Sequence, residues 1–278
     1  MTSAKIPEVF RRCPFCSSQK IRKPFRMTEI HQIYRCQDCR LEFKEALSKD
    51  KLQVLYDREY ECLELRKDQA IHMESRLYLA ERYVDNIVHE LGIDLAKARV
   101  LDYGAGPGNV SEALRKAGAD VTAVENNEFA LKNLSARGIQ AQPTLNGLRN
   151  ESFDLVLCVE VLEHLRSPWQ ALEDLRRLLK PEGVIYISTP NNRGANALIH
   201  RGRWREYLKS AHFFFFNAHS ITRLLLETGY SSIQRCRWRL DFQETAHHSS
   251  MRDRLQGLLQ TVQMDGGLRY IARKARED

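Results

Sequence analysis

Apolar positions along the middle of the chain recur with two different periods. From Asp68 to Leu91 the stretch DQAIHMESRLYLAERYVDNIVHEL repeats them at helical spacing, and Gly92 is its stop. ARVLDYG then predicts a short strand, NVSEALRKAG a helix stopped by Gly118, and DVTAVE a second strand. NEFALKNLSARG predicts a second helix and GIQAQ a weak third strand, while SFDLVLCVEV is a strongly apolar fourth. Ser167 and Pro168 read as an N-cap and first helical residue before WQALEDLRRLLK. Pro181-Glu182-Gly183 should turn that helix into the strand VIYIST. Asn217 reads as the N-cap of a late helix, with His219 in its first turn. GYSSIQRCRWRL predicts another strand, MRDRLQGLLQTVQ an amphipathic helix, and GGLRYIARKA a last antiparallel strand at the sheet edge. Strand–helix alternation with short links predicts an α/β fold built on a doubly wound parallel sheet.

In such sheets ligands bind at the carboxyl ends of the strands. VLDYGAGPGNV places Gly104, Gly106 and Gly108 at the end of the first strand. Gly104 and Gly106 let the backbone turn sharply and let a ligand lie against it; Gly108 lets the next helix start close by. Glu125 ends the second strand, 21 residues after Gly104, where a carboxylate can accept both hydroxyls of a ribose. The loop is G-x-G-x-G rather than G-x-G-x-x-G. Taken alone it fits a dinucleotide, an adenosyl compound or a plain strand–helix turn.

Composition changes the picture at the two ends. The chain has 278 residues, 43% of them apolar and 28% charged, as in soluble globular proteins. No apolar run approaches the roughly 20 residues of a membrane span. The N-terminal residues lack the apolar core of a secretory signal, and the expected location is cytoplasmic. The net charge of +7 is uneven. Basic residues outnumber acidic ones by eleven to six in 1–50 and by fifteen to eight in 193–278, whereas 51–192 holds seventeen against twenty-two. Basic flanks suit an anionic substrate, a carrier protein or nucleic acid, and equally a solvated face.

Four of the seven cysteines form two C-x-x-C pairs, Cys13 with Cys16 and Cys36 with Cys39, separated by nineteen residues. This is zinc-ribbon spacing: each turn aims two thiolates at one point, and two turns complete a tetrahedron. A segment of about 40 residues buries little core, so the metal would supply its folding energy. Two disulfides or a redox dithiol are the rival readings. Cys62, Cys158 and Cys236 are isolated and read as small buried residues.

Taken together, VLDYGAGPGNV, VTAVENNEFAL, SFDLVLCVEVLEHLRSP and LLKPEGVIYISTPN resemble four motifs of the class I S-adenosylmethionine (SAM)-dependent methyltransferases. HFFFFNAHSITRLLLETGY resembles a segment of the group containing the ubiquinone-biosynthesis O-methyltransferase. The likeness covers roughly residues 95–240. Tyr56 and Tyr60, after the cysteine pairs, resemble a further feature of bacterial relatives that act on sugars, lipids or secondary metabolites. The resemblance implies a seven-stranded, mostly parallel, Rossmann-like sheet. It divides the chain into a zinc ribbon (1–50), a helical linker and cap (51–94) and a SAM-binding domain (95–278) with a lid at about 191–216. It also implies that Asp102 and the backbone of Gly104, Ala105, Gly106 and Gly108 line the methionine end. Glu125 would hold the ribose and Asn126 lie beside the adenine. Thr144 and Leu145 fall at the adenine's other contact, where QPTLNGL departs from the usual acidic loop. Val159 and Glu160 would end the fourth strand under the sulfonium.

The implied activity is methyl transfer from SAM to a small-molecule acceptor, at a hydroxyl oxygen. That needs a nucleophile held in line and, for a hydroxyl, a base. His164 and His212 are the candidate bases; Glu160, Glu163 and His164 form an alternative divalent-cation set. Arg193, Arg201, Arg203, Trp204, Arg205 and Lys209 suggest an anionic or carrier-bound acceptor. The rivals are an RNA or protein methyltransferase gripping a polymer with its ribbon and basic ends, and a non-catalytic SAM-fold scaffold.

Overall fold

The computed structural model describes residues 11–22, 32–45, 48, 50–51, 54–55, 69–236 and 264–275. Tyr56, Tyr60, Cys62, Asp68, the end of GYSSIQRCRWRL beyond Cys236, His247-His248 and the segment MRDRLQGLLQTVQ lie outside the described residues.

Three short strands, β1 (Ile21–Arg22), β2 (Tyr34–Cys36) and β3 (Glu42–Phe43), pair antiparallel around the cysteines. Helix α1 (Gln69–Leu91) ends where Gly92 takes a φ of 60° and donates its N–H to the Val88 carbonyl. The alternating region follows: β4 (Arg99–Tyr103), α2 (Asn109–Lys116), β5 (Asp120–Val124), α3 (Glu128–Ala136), β6 (Gln140–Gln142), β7 (Phe153–Val159), α4 (Pro168–Leu178) and β8 (Leu179–Pro190). A connection carrying α5 (Ala195–His200) and α6 (Arg205–Leu208) leads to β9 (Phe214–Phe215) and α7 (Ala218–Glu227). Strands β10 (Tyr230–Arg235) and β11 (Gly267–Lys274) come last.

Among the described residues the main sheet has seven strands in the order β10-β11-β8-β7-β4-β5-β6, and β11 alone runs opposite to the other six. The chain builds outward from β4 to β6, then crosses back to lay β7 on the other side of β4. That reversal makes the β4–β7 junction the switch point at which open α/β sheets bind ligands.

Both faces of the sheet are covered, so strand side chains are apolar on both sides. Along β7, Leu155 and Leu157 face the layer of Val84, Ile87, Leu114 and Leu134, which come from α1, α2 and α3. The alternate residues Val156 and Cys158 face Leu172, Leu175, Leu224 and Leu225, from α4 and α7. Asn127 caps α3 through its side chain, and Asn217 forms a reciprocal capping box with Ser220 on α7. Pro168 opens α4, but Ser167 makes no side-chain capping bond. Cys158 and Cys236 are buried.

Two expectations change. Extended backbone begins at Leu179, before Pro181-Glu182-Gly183. Phe153 pairs with Leu179 and Leu155 with Val184, so the three residues form a bulge inside β8 rather than a turn ahead of it. The last strand is antiparallel as expected but is not the edge: β11 lies between β8 and β10, and β10 takes the edge. Strand order depends on long-range pairing, to which a local pattern is blind.

The ribbon sheet does not stop at β3. Strand β9 joins it, with Glu42 opposite Phe215 and Phe43 opposite Phe214. Cys13, Cys36, Cys39, Leu41 and Phe43 share one apolar cluster with Phe213, Phe214, Phe216 and Leu162.

Candidate functional site

The glycine loop leaves β4 at the switch point. The N–H groups of Gly104 and Ala105 donate to the Val124 carbonyl at 2.8 and 3.2 Å, tying the loop to β5. Gly104 and Gly108 have φ of 73° and 84°, a region that L side chains rarely adopt. A Cβ on Gly104 would fall 2.5 Å from a Val161 methyl, and one on Gly108 2.6 Å from a Leu134 methyl. Here glycine answers close packing from the next strand and helix as well as the turn.

Glu125 ends β5 and points back at this loop. Its Oε2 accepts the Gly106 N–H at 2.9 Å and its Oε1 accepts the Asn127 N–H at 2.9 Å. The half-buried carboxylate is thereby fixed beside the half-exposed glycine backbone. Each oxygen keeps further acceptor capacity, which is what a ribose diol requires. Asp102 lies below the loop, 2% exposed, and accepts the Ser111 hydroxyl at 2.5 Å. Burial pushes its carboxyl up to about 6, against the opposing Ser111 hydrogen bond. Asp102 thus braces β4 to α2 from within. Asn126 is exposed, and so is Thr144, whose carbonyl accepts from the Gln142 amide. Leu145 is half-buried against the core.

Val159 ends β7, and Glu160 follows with a φ of 55°, unusual for a residue with a long side chain. Ser188 holds it there: its carbonyl accepts the Glu160 N–H at 2.8 Å, and its hydroxyl donates to Glu160 Oε1 at 2.6 Å. Glu160 opens into a cleft of about 340 Å³ whose other walls include Tyr83, Asn191, Trp204, Glu206 and Arg269. The cleft and the glycine loop occupy neighbouring strand ends, with Val161 against Gly104 between them. Sequence reasoning did not find Tyr83, Asn191, Glu206 or Arg269. They come from four separate segments, and no local motif marks them.

Arg193, Arg201, Arg203 and Arg205 are exposed, as is Lys209, whose ammonium pairs with Glu206 at 2.6 Å, whereas Trp204 is buried at the cleft. Two carboxylates and Arg269, rather than these cations, line the cleft.

Glu163, His164 and His212 converge behind it, with one potential ligand atom from each lying within 4.8 Å of the others. The two imidazoles meet edge to face at 4.5 Å. Burial holds His164 down to about 4 and His212 down to about 2, with the neighbouring His164 adding to the latter. Both rings are therefore neutral, the form that ligates metals, and the burial that keeps them so makes each a weaker base than a free imidazole. Glu163 is 1% exposed, and burial raises its carboxyl well above the usual range. Its Oε2 accepts the Thr189 hydroxyl at 2.9 Å; its Oε1 and His212 Nδ1 have no hydrogen-bond partner among the described residues. His212 Nδ1 lies 3.4 Å from Glu206 Oε2, so the histidines approach the cleft through Glu206. The structure brings Glu160 to the cleft and leaves it outside this triplet, which His212 completes instead.

In the ribbon, Cys13 Sγ lies 3.6 Å from Cys39 Sγ, and Cys16 Sγ 3.6 Å from Cys36 Sγ, with all four within 4.8 Å of one another. A tetrahedron of sulfurs about 2.3 Å from Zn²⁺ has edges near 3.8 Å, so the four thiols fit that ion. A hydrogen bond from Cys39 brings Cys13 down to about 5, while burial raises Cys16 to about 11.

The Methyltransferase domain family matches residues 75–235. A ubiquinone biosynthesis O-methyltransferase of Xanthomonas oryzae pv. oryzae is 38% identical over 109 residues, 36% of this chain and 46% of that protein. One from Haemophilus ducreyi is 37% identical over 107 residues, 34% and 45% of the two chains. The chain thus spans about half the length of the curated relatives it matches. Among solved structures, a SAM-dependent methyltransferase from Archaeoglobus fulgidus superposes with a TM-score of 0.52 at 18% identity, covering 69% of this chain and 94% of its own. Burkholderia thailandensis 1,6-didemethyltoxoflavin-N1-methyltransferase, solved with 1,6-didemethyltoxoflavin and S-adenosylhomocysteine, does so with a TM-score of 0.53 at 18% identity, covering 92% and 100%. At that identity the likeness is one of fold. The family match spans more than half of the chain, from α1 to β10, and includes both the glycine loop and Glu125; the chain belongs to the methyltransferase-domain family and has the class I SAM-dependent methyltransferase fold.

Proposed function

We propose that the protein transfers a methyl group from SAM to the hydroxyl oxygen of a small-molecule acceptor. The observation that carries this reading is the Glu125 carboxylate bonded to Gly106 N–H beside an open cleft at the same sheet edge. SAM supplies a methyl already activated by its sulfonium. The glycine backbone and Glu125 bind and orient the adenosyl group, and the cleft between Glu160 and Glu206 holds the acceptor in line. Positioning of this kind can lower a barrier by about 7–11 kcal/mol. His164 and His212, reached through Glu206, are the acceptors of the hydroxyl proton in this reading; burial weakens both as bases, and the Glu206 carboxylate 3.4 Å from His212 Nδ1 is the group that would stabilise the charged ring. The matched relatives' name favours oxygen as the atom methylated.

In this reading 95–278 is the catalytic unit, 51–94 its helical cover, 191–216 the acceptor segment, and 1–50 a ribbon holding structural Zn²⁺. Paired thiols kept for a metal suit a reducing, cytoplasmic setting. The burial of β3 against β9 argues against the ribbon as a grip for RNA or a protein chain.

Calorimetry with S-adenosylhomocysteine tests the adenosyl site. Wild type should bind, and Glu125→Ala should weaken binding at least about tenfold, the loss of charge-assisted hydrogen bonds. No heat from wild type would end the proposal. Mass spectrometry of an extract incubated with isotopically labelled SAM then identifies the acceptor. A second reading of the histidines, a divalent cation on Glu163, His164 and His212, is favoured by the orphaned Glu163 Oε1 and His212 Nδ1. Two metal equivalents per chain, falling to one in His212→Ala, would support it; one equivalent in wild type leaves the histidines to carry protons.

A further inference from the structure

The ribbon's last strand reaches the acceptor side of the site by more than packing. The Lys44 N–H donates to the Phe213 carbonyl at 2.9 Å, and the Phe213 N–H donates to the Glu163 carbonyl at 2.7 Å. Lys44 is 4% exposed, and its Nζ donates to the carbonyls of Tyr207 and Lys209 at 3.2 and 2.5 Å. These carbonyls close α6, a helix of four residues with too few internal bonds to hold itself. Glu42, also 4% exposed, accepts the Tyr207 hydroxyl. Tyr207 stacks edge to face on Trp204 at 4.9 Å and on Phe215 at 4.7 Å. Glu206, between these anchors, lines the cleft and faces His212. On the other side, the Asn217 amide donates to the carbonyl of Arg40, the residue after Cys39.

We infer that Glu42 and Lys44 are positioning residues: they fasten the 204–216 segment over the cleft, so that metal held by the four cysteines sets the acceptor side and leaves the adenosyl side alone. The inference rests on the methyltransferase reading for the meaning of the two sides. A buried ammonium aimed at backbone carbonyls and a buried carboxylate bonded by a tyrosine hydroxyl are costly unless they hold something, and what they hold here is a segment with little structure of its own. Only Arg40 and Leu41 stand between Cys39 and Glu42, too short a span for the thiol cluster to loosen without moving β3.

The test is hydrogen exchange on the zinc-loaded full chain, comparing peptides over 204–216 with peptides over 104–125. Lys44→Met should raise exchange in 204–216 at least tenfold and change 104–125 less than twofold. Lys44→Arg, which keeps the donors, should restore the wild-type pattern. Unaltered exchange in 204–216, equal loosening of both segments, or no rescue by arginine would overturn the inference. If Lys44→Met does not fold, zinc is stripped from wild type below its melting temperature and the same peptides are compared. Faster exchange in 204–216 alone then supports the inference, and unchanged exchange or equal loosening overturns it. Binding of S-adenosylhomocysteine is measured in parallel: its absence in wild type sinks the methyltransferase reading, whereas the exchange contrast stands or falls independently.

Discussion

Asp102 shows what one buried group does to the protein's response to pH. Hydrogen bonds from the Ser111 hydroxyl and backbone N–H do not offset its loss of water and the nearby Glu125 charge, and the carboxyl is pushed up to about 6 from 3.8. The folded chain therefore binds this proton more tightly than the unfolded chain. Stability is greatest below the unfolded pKa and declines as pH rises from about 4 to about 6, on the order of 3 kcal/mol for this group. Asp102→Asn should flatten the denaturant-derived stability across that window; an unchanged slope would mean that another group titrates there. Glu125 was legible because its position follows from a strand end and a fixed spacing. Glu206 was not: the sequence around it shows arginines, and only the fold leaves those exposed and sets the carboxylate in the cleft.

Among the elements, the loop from β4 into α2 is the most tightly determined. At Gly108 the left-handed φ and the fully buried Leu134 act together. Gly108→Ala should cost about 3 kcal/mol, from backbone strain and overpacking combined. A urea midpoint unmoved by the substitution would refute the packing argument. The strand–helix alternation from β4 to β8 was readable because each element carries its own period and its own cap. Strand order was not, and β11 shows why. Its residues Leu268, Tyr270 and Ala272 read the same at an edge or between two strands; insertion between β8 and β10 is decided by pairing over some eighty residues.

Across the whole molecule, β9 of the 191–216 connection pairs with β3, and the cysteines share one apolar cluster with residues of the seven-stranded sheet, which makes the thiol cluster part of one cooperative core. Cys39→Ser should lower the melting temperature by at least about 5 °C and broaden the transition. A separate early transition that leaves the main melt untouched would show the ribbon folding on its own. The cysteine spacing, the helical and strand periods and the placement of glycines and Glu125 are local facts, and the chain order of residues was enough to read from them a doubly wound sheet, four cysteines gathered at one point and a glycine loop beside a strand-end carboxylate. The seating of the ribbon on β9, the meeting of Glu163, His164 and His212, and the placing of Glu206 in the cleft bring together residues far apart in the chain. Such contacts form only when the apolar faces have been buried, because it is burial that chooses which distant segments meet.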